Sequence, residues 1–169
     1  MPTSAPCIRN PMSRNACVLI LENLRSVENT ASIFRTADGL GVAKIILVGT
    51  TPAPVDRFGR KRADFAKISL GAEEMVEWEY VSSENLQLAI NNLQEQGFRI
   101  IALEQDPKAI ELNKVNKLNK FALVVGNEVE GVSKVALDLC DNIAEIPMQG
   151  QKESLNVSVA TGIALFALC

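Results

Sequence analysis

A chain of 169 residues can bury one sizeable core but falls short of two domains of average size. Its 47% apolar and 22% charged residues fit a globular protein, and no apolar run approaches the roughly eighteen residues of a membrane span. The net charge of −3 does not advertise a nucleic-acid binder. The lack of histidine removes the commonest general base and metal ligand, and with them every Ser-His or Cys-His nucleophile.

Residues 1–16, MPTSAPCIRNPMSRNA, carry Pro, Ser and Asn and no apolar h-region. They predict a flexible N-terminal arm rather than a secretory signal, with residues 17–169 as a single domain in the cytoplasm. Short apolar runs then predict strands at Val18–Leu21, Lys44–Val48, Val76–Val81, Phe98–Leu103, Phe121–Val125 and Asn142–Ile146, several of them rich in Val and Ile and apolar on both faces. Helical patterns lie between them. One covers about Thr30–Asp38 and stops at Gly39. One runs from about Ser83 to Gln96, with the apolar stripe Leu86, Ala89, Ile90 and Leu93 and a stop at Gly97. A third starts near Ser133. The last begins near Ser154, with that serine as N-cap, and continues through VSVATGIALFALC. The alternation predicts an α/β fold, a mainly parallel sheet with helices on both faces.

Ligands of such sheets bind beyond the carboxyl ends of the strands, so the segments after each strand matter most. These are ENLRSVENTASIFRT, EQDP, GNEVEG and PMQGQKESLN. Familiar nucleotide signatures fail there. Gly126 and Gly131 have P-loop spacing, but Val132 stands where the lysine belongs. Gly39 and Gly41 follow a helix rather than a strand, which excludes a dinucleotide fingerprint. Gly126, at a strand end, allows close backbone approach by a ligand. Asn156 opens an apolar helix, where an unpaired amide would be costly, and so requires a defined partner.

The cysteines, Cys7, Cys17, Cys140 and Cys169, form no C-x-x-C pair, so no metal site is expected and they read as free thiols. The run DRFGRKRADFAK sets Arg57, Arg60, Lys61, Arg62 and Lys67 against Asp56 and Asp64 and includes Phe58 and Phe65. It reads either as a solvated loop or as an electrostatic contact for RNA phosphates.

Three segments together resemble one family. ENTASIFRTADGLG, LVVGNEVEGV and IPMQGQKESLNVSVA are similar, in order and spacing, to the three motifs of the SpoU/TrmH branch of the SPOUT RNA methyltransferases, a likeness running from about Val18 onward. The resemblance implies a deep trefoil knot near the C-terminus, S-adenosylmethionine held by the knotted loops, and a homodimer with the active site completed across its interface. It also implies methyl transfer to a ribose 2′-hydroxyl of tRNA or rRNA, without metal. By motif position it carries over Asn29, Arg35, Glu128, Ser154 and Asn156 as active-site residues. The backbone around Leu103, Val125, Gly126, Ile146, Met148 and Leu155 becomes the cofactor cradle. Asn29 and Arg35 would then face a nucleotide phosphate and ribose.

An arginine surrenders its proton at great cost near pH 7, so an electrostatic clamp on phosphate and developing alkoxide suits Arg35 better than the role of base. Two other classes stay open from the sequence: an RNA-binding module of this fold without catalysis, and a small-molecule methyltransferase. The nearly all-apolar last helix needs more cover than one small domain supplies, which favours a dimer in any of these cases.

Overall fold

The computed structural model describes residues 16–169, and the predicted arm with Arg9 and Arg14 lies outside the described residues. Strands and helices alternate as β1 (Ala16–Glu22), α1 (Val27–Leu40), β2 (Lys44–Val48), α2 (Ala63–Ser69), α3 (Ala72–Met75), β3 (Glu77–Val81) and α4 (Leu86–Glu95). Then come β4 (Arg99–Leu103), β5 (Ile110–Glu111), β6 (Lys120–Val125), α5 (Lys134–Leu139), β7 (Asn142–Glu145) and α6 (Val157–Leu168). The seven strands form one sheet in the order β3-β2-β1-β6-β4-β7-β5. Every neighbouring pair is parallel.

Both faces of the sheet are covered, for the reason the unbroken apolar runs gave. Along β1, Cys17, Leu19 and Leu21 point into a core shared with Phe34 of α1, Phe65 of α2 and Leu165 of α6. Val18 and Ile20 point into a second core with Ile90 and Leu93 of α4 and Ala136 of α5. Phe34 and Phe65 meet edge to face with centroids 5.2 Å apart, which ties α2 down on α1.

All six predicted strands are present, but four helix boundaries differ from expectation, the first being that of α4, which starts at Leu86 after a 3-10 turn over Ser83–Asn85. Helix α1 starts earlier, because the Ser26 hydroxyl accepts the Asn29 N–H (3.1 Å) and caps it. It also runs past Gly39 to end at Gly41, whose φ of 73° suits the left-handed cap. The N-cap of α6 is Asn156 rather than Ser154: its Oδ1 accepts the Ser158 N–H (2.9 Å). Ser133 does cap α5, accepting from the Ala136 N–H at 3.3 Å.

Elements α2, α3 and β5 are absent from the sequence expectation. The two residues of β5 are too few to show a period. Helix α2 hides inside the charged run, which is therefore not one exposed loop: Lys67 lies on α2, Arg62 is its N-cap residue, and Phe65 is fully buried.

The sheet's carboxyl edge is tightly knit. Asn23, just after β1, takes a left-handed φ of 54°, which asparagine tolerates. Its Oδ1 accepts the Thr50 N–H (3.2 Å), and the Thr51 hydroxyl accepts the Leu24 N–H (3.1 Å) and donates to Leu21 O (2.7 Å). These bonds fasten the loop after β2 to the loop after β1. Gly49 is required there, because a Cβ would meet Asn23 Oδ1 at 2.0 Å.

Candidate functional site

The loops after β4, β6 and β7 enclose a cleft of about 540 Å³ at that carboxyl edge. Its walls include Leu103, Val125, Gly126, Ile146, Met148 and Leu155, together with Glu128, Ser154 and Asn156. The residues selected by motif position for cofactor contact are thus brought together. Ser154 and Asn156 are exposed, so Asn156 stands at the cleft mouth rather than inside a buried helix end.

Asn156 has the partner its position demanded. Its Nδ2 donates to Asn29 Oδ1 (3.1 Å), and Asn29 Nδ2 donates in turn to Glu128 Oε1 (3.0 Å). Glu128 Oε2 accepts the Arg25 N–H at 3.2 Å. One short chain of amides and a carboxylate therefore joins the start of α1, the loop after β6 and the start of α6. Partial burial pushes the Glu128 carboxyl up, but hydrogen bonds from Asn29 and from backbone N–H groups outweigh it and hold its pKa below the usual carboxylate range. Glu128 is ionised at neutral pH.

Arg35 is not in this cluster. Six residues at about 100° each put it about 120° round the helix from Asn29. It is exposed, lies outside the cleft lining, and makes no ion pair among the described residues. The chain thus sets Glu128, Ser154 and Asn156 on the cleft, with Asn29 bonded to two of them, and leaves Arg35 outside it.

Gly126 lines the cleft and also meets a need inside the chain. A Cβ on Gly126 would lie 2.2 Å from the Gly131 carbonyl carbon, so the close approach is made by the chain itself. Asn127 organises that turn. Its side chain is buried, accepts the Val129 and Glu130 N–H groups (2.7 and 3.0 Å) and donates to Asn23 O (2.7 Å).

Sequence reasoning also passed over Glu104 and Gln105. Glu104 Oε2 accepts the Val132 N–H (2.8 Å), and Gln105 Nε2 donates to Glu153 O (2.6 Å). The adjacent pair grips the loops on both sides of the cleft. The signal was visible: EQDP follows a strand at the edge where ligands bind.

The electrostatics of the cleft are one-sided. Glu104, Glu128 and Glu145 line it, and among the described residues no lysine or arginine does. Such a lining repels a phosphate-bearing ligand and favours a cation with apolar surface. Among the described residues no group of three or more Cys, Asp and Glu side chains is placed to hold a metal ion. The basic segment lies apart from the cleft lining. There Arg60 pairs with Asp56 (2.7 Å), Arg62 with Asp64 (2.7 Å) and Lys61 with Glu74, while Arg57 and Lys67 make no ion pair among the described residues.

The model of the SpoU rRNA Methylase family matches residues 16–166. The chain belongs to that family. Family members similar to it include the 23S rRNA (guanosine-2'-O-)-methyltransferase RlmB of Xanthomonas axonopodis pv. citri (strain 306), 34% identical over 151 residues, covering 89% of this chain and 57% of the relative. The RlmB of Neisseria meningitidis serogroup B (strain ATCC BAA-335 / MC58) is 33% identical over 154 residues, covering 91% and 58%. The chain thus spans less than two thirds of the length of these relatives. Among solved structures, the A. aeolicus TrmH/SpoU tRNA modifying enzyme aligns with a TM-score of 0.79 at 28% identity, covering 91% of this chain and 74% of that one. The AdoMet-bound rRNA methyltransferase from Sinorhizobium meliloti aligns with a TM-score of 0.78 at 25% identity, covering 90% and 55%.

Proposed function

We propose that this chain is an S-adenosylmethionine-dependent RNA methyltransferase that methylates a ribose 2′-hydroxyl of tRNA or rRNA in the cytoplasm. The observation that carries the reading is the cleft itself: small-molecule size, walls of mixed apolar and polar side chains, three carboxylates and no cation among the described residues, at the edge where α/β sheets bind ligands. That lining suits a sulfonium cofactor and disfavours a nucleotide phosphate. The S. meliloti relative, an AdoMet-bound rRNA methyltransferase, supports the same assignment.

S-adenosylmethionine supplies an electrophilic methyl group on a positively charged sulfur. The rest falls to the protein. Leu103, Val125, Ile146, Met148 and Leu155 would shelter the apolar part of the cofactor, with Gly126 in the turn between them. Glu104 and Glu128 would offset its positive charge. The Asn156–Asn29–Glu128 chain would fix the start of α6 and, with it, the loop that carries Ser154 beside the incoming ribose. Arg35 would stabilise the phosphate and the negative charge developing on the 2′-oxygen, while the hydroxyl proton leaves to water or a phosphate oxygen.

A single protomer keeps Arg35 away from its own cleft, and this supports a homodimer in which the partner subunit's Arg35 completes the site. The exposed stripe Val159, Ile163 and Phe166 on α6, flanked by Ser32 and Thr36 of α1, offers the interface. The trefoil knot belongs to the same reading and is supported by membership of the family, with the loop before α6 bonded to the loop after β4 through Gln105 and Glu153.

Calorimetry with S-adenosylmethionine in the presence of a chelator, followed by mapping of ribose methylation in total RNA with and without the protein, tests the proposal. Binding without metal and new 2′-O-methyl positions are expected. A folded protein that binds no cofactor refutes it. Cofactor binding without any RNA methylation leaves the non-catalytic module.

A further inference from the structure

The basic segment contains a small ordered unit that electrostatics alone does not explain. Val55 and Lys61 form an antiparallel bridge that closes a turn over residues 56–60. Asp56 holds that turn from inside. Its Oδ1 accepts the Phe58 and Arg60 N–H groups (2.8 and 3.0 Å), and its Oδ2 accepts Arg60 Nε (2.8 Å). Two backbone bonds join in: the Asp56 N–H donates to Arg60 O and the Gly59 N–H donates to Asp56 O, both at 2.9 Å. Gly59 supplies the positive φ of 77° that the turn requires.

What this turn displays is Phe58, 66% exposed at its tip. The ring contributes nothing to the core, unlike Phe65 seven residues on. It carries two guanidinium groups instead: Arg57 Cζ lies 4.8 Å and Arg60 Cζ 5.1 Å from its centroid. Arg60 is paired with Asp56, whereas Arg57 makes no ion pair among the described residues. The unit therefore presents flat π surface and positive charge together, already ordered before any ligand arrives. A ligand that matches both is a flat aromatic group attached to an anion. The Thr51 and Asn23 bonds anchor the loop that leads into this turn to the same sheet edge as the cleft.

We infer that Phe58, flanked by the guanidinium groups of Arg57 and Arg60, is a stacking platform for an unpaired nucleobase of the RNA, while Arg57 meets the adjacent phosphate. The inference rests on the RNA reading proposed above and adds a requirement to it. The base must be unstacked from its neighbours, because the bases inside a duplex leave no face free for a side chain. The other cations contribute less than the sequence implied, since Lys61 and Arg62 are each paired with an acid.

Titration of a fluorescein-labelled single-stranded 12-nucleotide RNA, and of the same sequence annealed to its complement, into full-length wild type and variants tests it. Phe58→Ala is expected to weaken single-strand binding about 5- to 150-fold, the range of one base–aromatic stack, with the slope of log affinity against log salt unchanged. Phe58→Trp should bind as wild type, and Phe58→Leu as the alanine variant. Arg57→Ala should lower the slope by about one unit. Duplex binding should not respond to position 58. In a Trp78→Phe background, Phe58→Trp gives one indole, whose fluorescence should be quenched on binding the single strand.

Single-strand affinity indifferent to Phe58→Ala, full affinity in Phe58→Leu, an equal loss on duplex, or an unquenched indole at 58 each overturns the inference while leaving the methyltransferase reading intact. Phe58-dependent binding to anionic vesicles in place of RNA also overturns it. Wild type that binds cofactor but neither RNA removes the RNA substrate as well.

Discussion

The cleft rim and the basic turn both follow from loops at one edge of the sheet, yet they are built by opposite means. The rim is held by contacts between residues far apart in the chain: Asn29 to Glu128, Asn156 to Asn29, Gln105 to Glu153, Asn127 to Asn23. Its bonding groups are short amides and carboxylates, with no cation on the lining among the described residues. The turn at 56–60 is held by contacts within five residues and is rich in charge. A locally closed unit can be altered without disturbing the fold. A rim closed over a hundred residues of chain transmits any change to the whole site. The contrast suits a division of labour, with a shaped, pre-organised pocket for chemistry and a detachable surface unit for grip on a polyanion.

Mutations can break this contrast, and the largest effect is expected at Arg35. Arg35→Ala should lower single-turnover methylation at saturating RNA on the order of a hundredfold or more, because a donor aimed at developing charge acts mainly in the transition state. Calorimetry should show its affinity for S-adenosylmethionine near wild type. If only the RNA concentration needed for half-maximal rate rises, Arg35 belongs with the turn and not with the chemistry.

A smaller but broader loss is expected at Asn127. Its buried side chain serves three backbone groups, and Asn127→Ala strands two N–H donors and one carbonyl, at a cost of about 1–3 kcal/mol for each group that water cannot reach. Urea unfolding should show the lower midpoint, and cofactor binding should weaken with it. An unchanged midpoint would mean that the turn after β6 is held by Gly126 and Gly131 alone.

Gln105→Ala sharpens the comparison more gently. It frees the loop before α6 by removing one exposed side-chain bond, so global stability should hardly move. Cofactor dissociation should nevertheless quicken several-fold, and amide exchange in residues 147–156 should rise. Equal exchange in both proteins would show that the latch is idle.

The smallest effect concerns pH. Glu128 has a lowered pKa in the folded protein, so the stability it contributes is present above the unfolded value of about 4.3 and is lost as pH falls through the lower folded value. Glu128→Gln should therefore be less stable than wild type at neutral pH, and the gap should close in acid. By contrast, Glu74→Gln on the basic segment, which removes only an exposed partner of Lys61, should give a midpoint indistinguishable from wild type across the same range.

Much of the fold was legible because burial on both sides of a strand writes itself as an unbroken apolar run. Strands β1, β2, β4 and β6 stand where such runs stand, and Lys44–Val48 agrees residue for residue, whereas β3 at the sheet edge alternates with charge and keeps no residue buried. The start of α5 near Ser133 was readable as well. Helix α2 was not, since Arg62 precedes it, Asp64 and Lys67 lie on it, and only the position of Phe34 reveals that Phe65 faces inward. The cap of α6 fell to Asn156 and not Ser154 because the loop before it is drawn towards Gln105 and Asn29, a pull no local pattern records.

The sequence by itself determined the alternation of elements, the two-sided core and, through three motifs, the family and the residues around the cleft. These depend on side-chain type at short spacing, which a linear pattern preserves. Only the tertiary structure decided which of those residues touch. It put Asn29, Glu128 and Asn156 in one hydrogen-bonded chain, left Arg35 on another face of the same helix, paired three of the five basic-segment cations with acids, and set Phe58 in solvent and Phe65 in the core. Each of those outcomes depends on where a helix rotates or a loop crosses once the sheet has closed, and that is fixed by packing between segments a hundred residues apart.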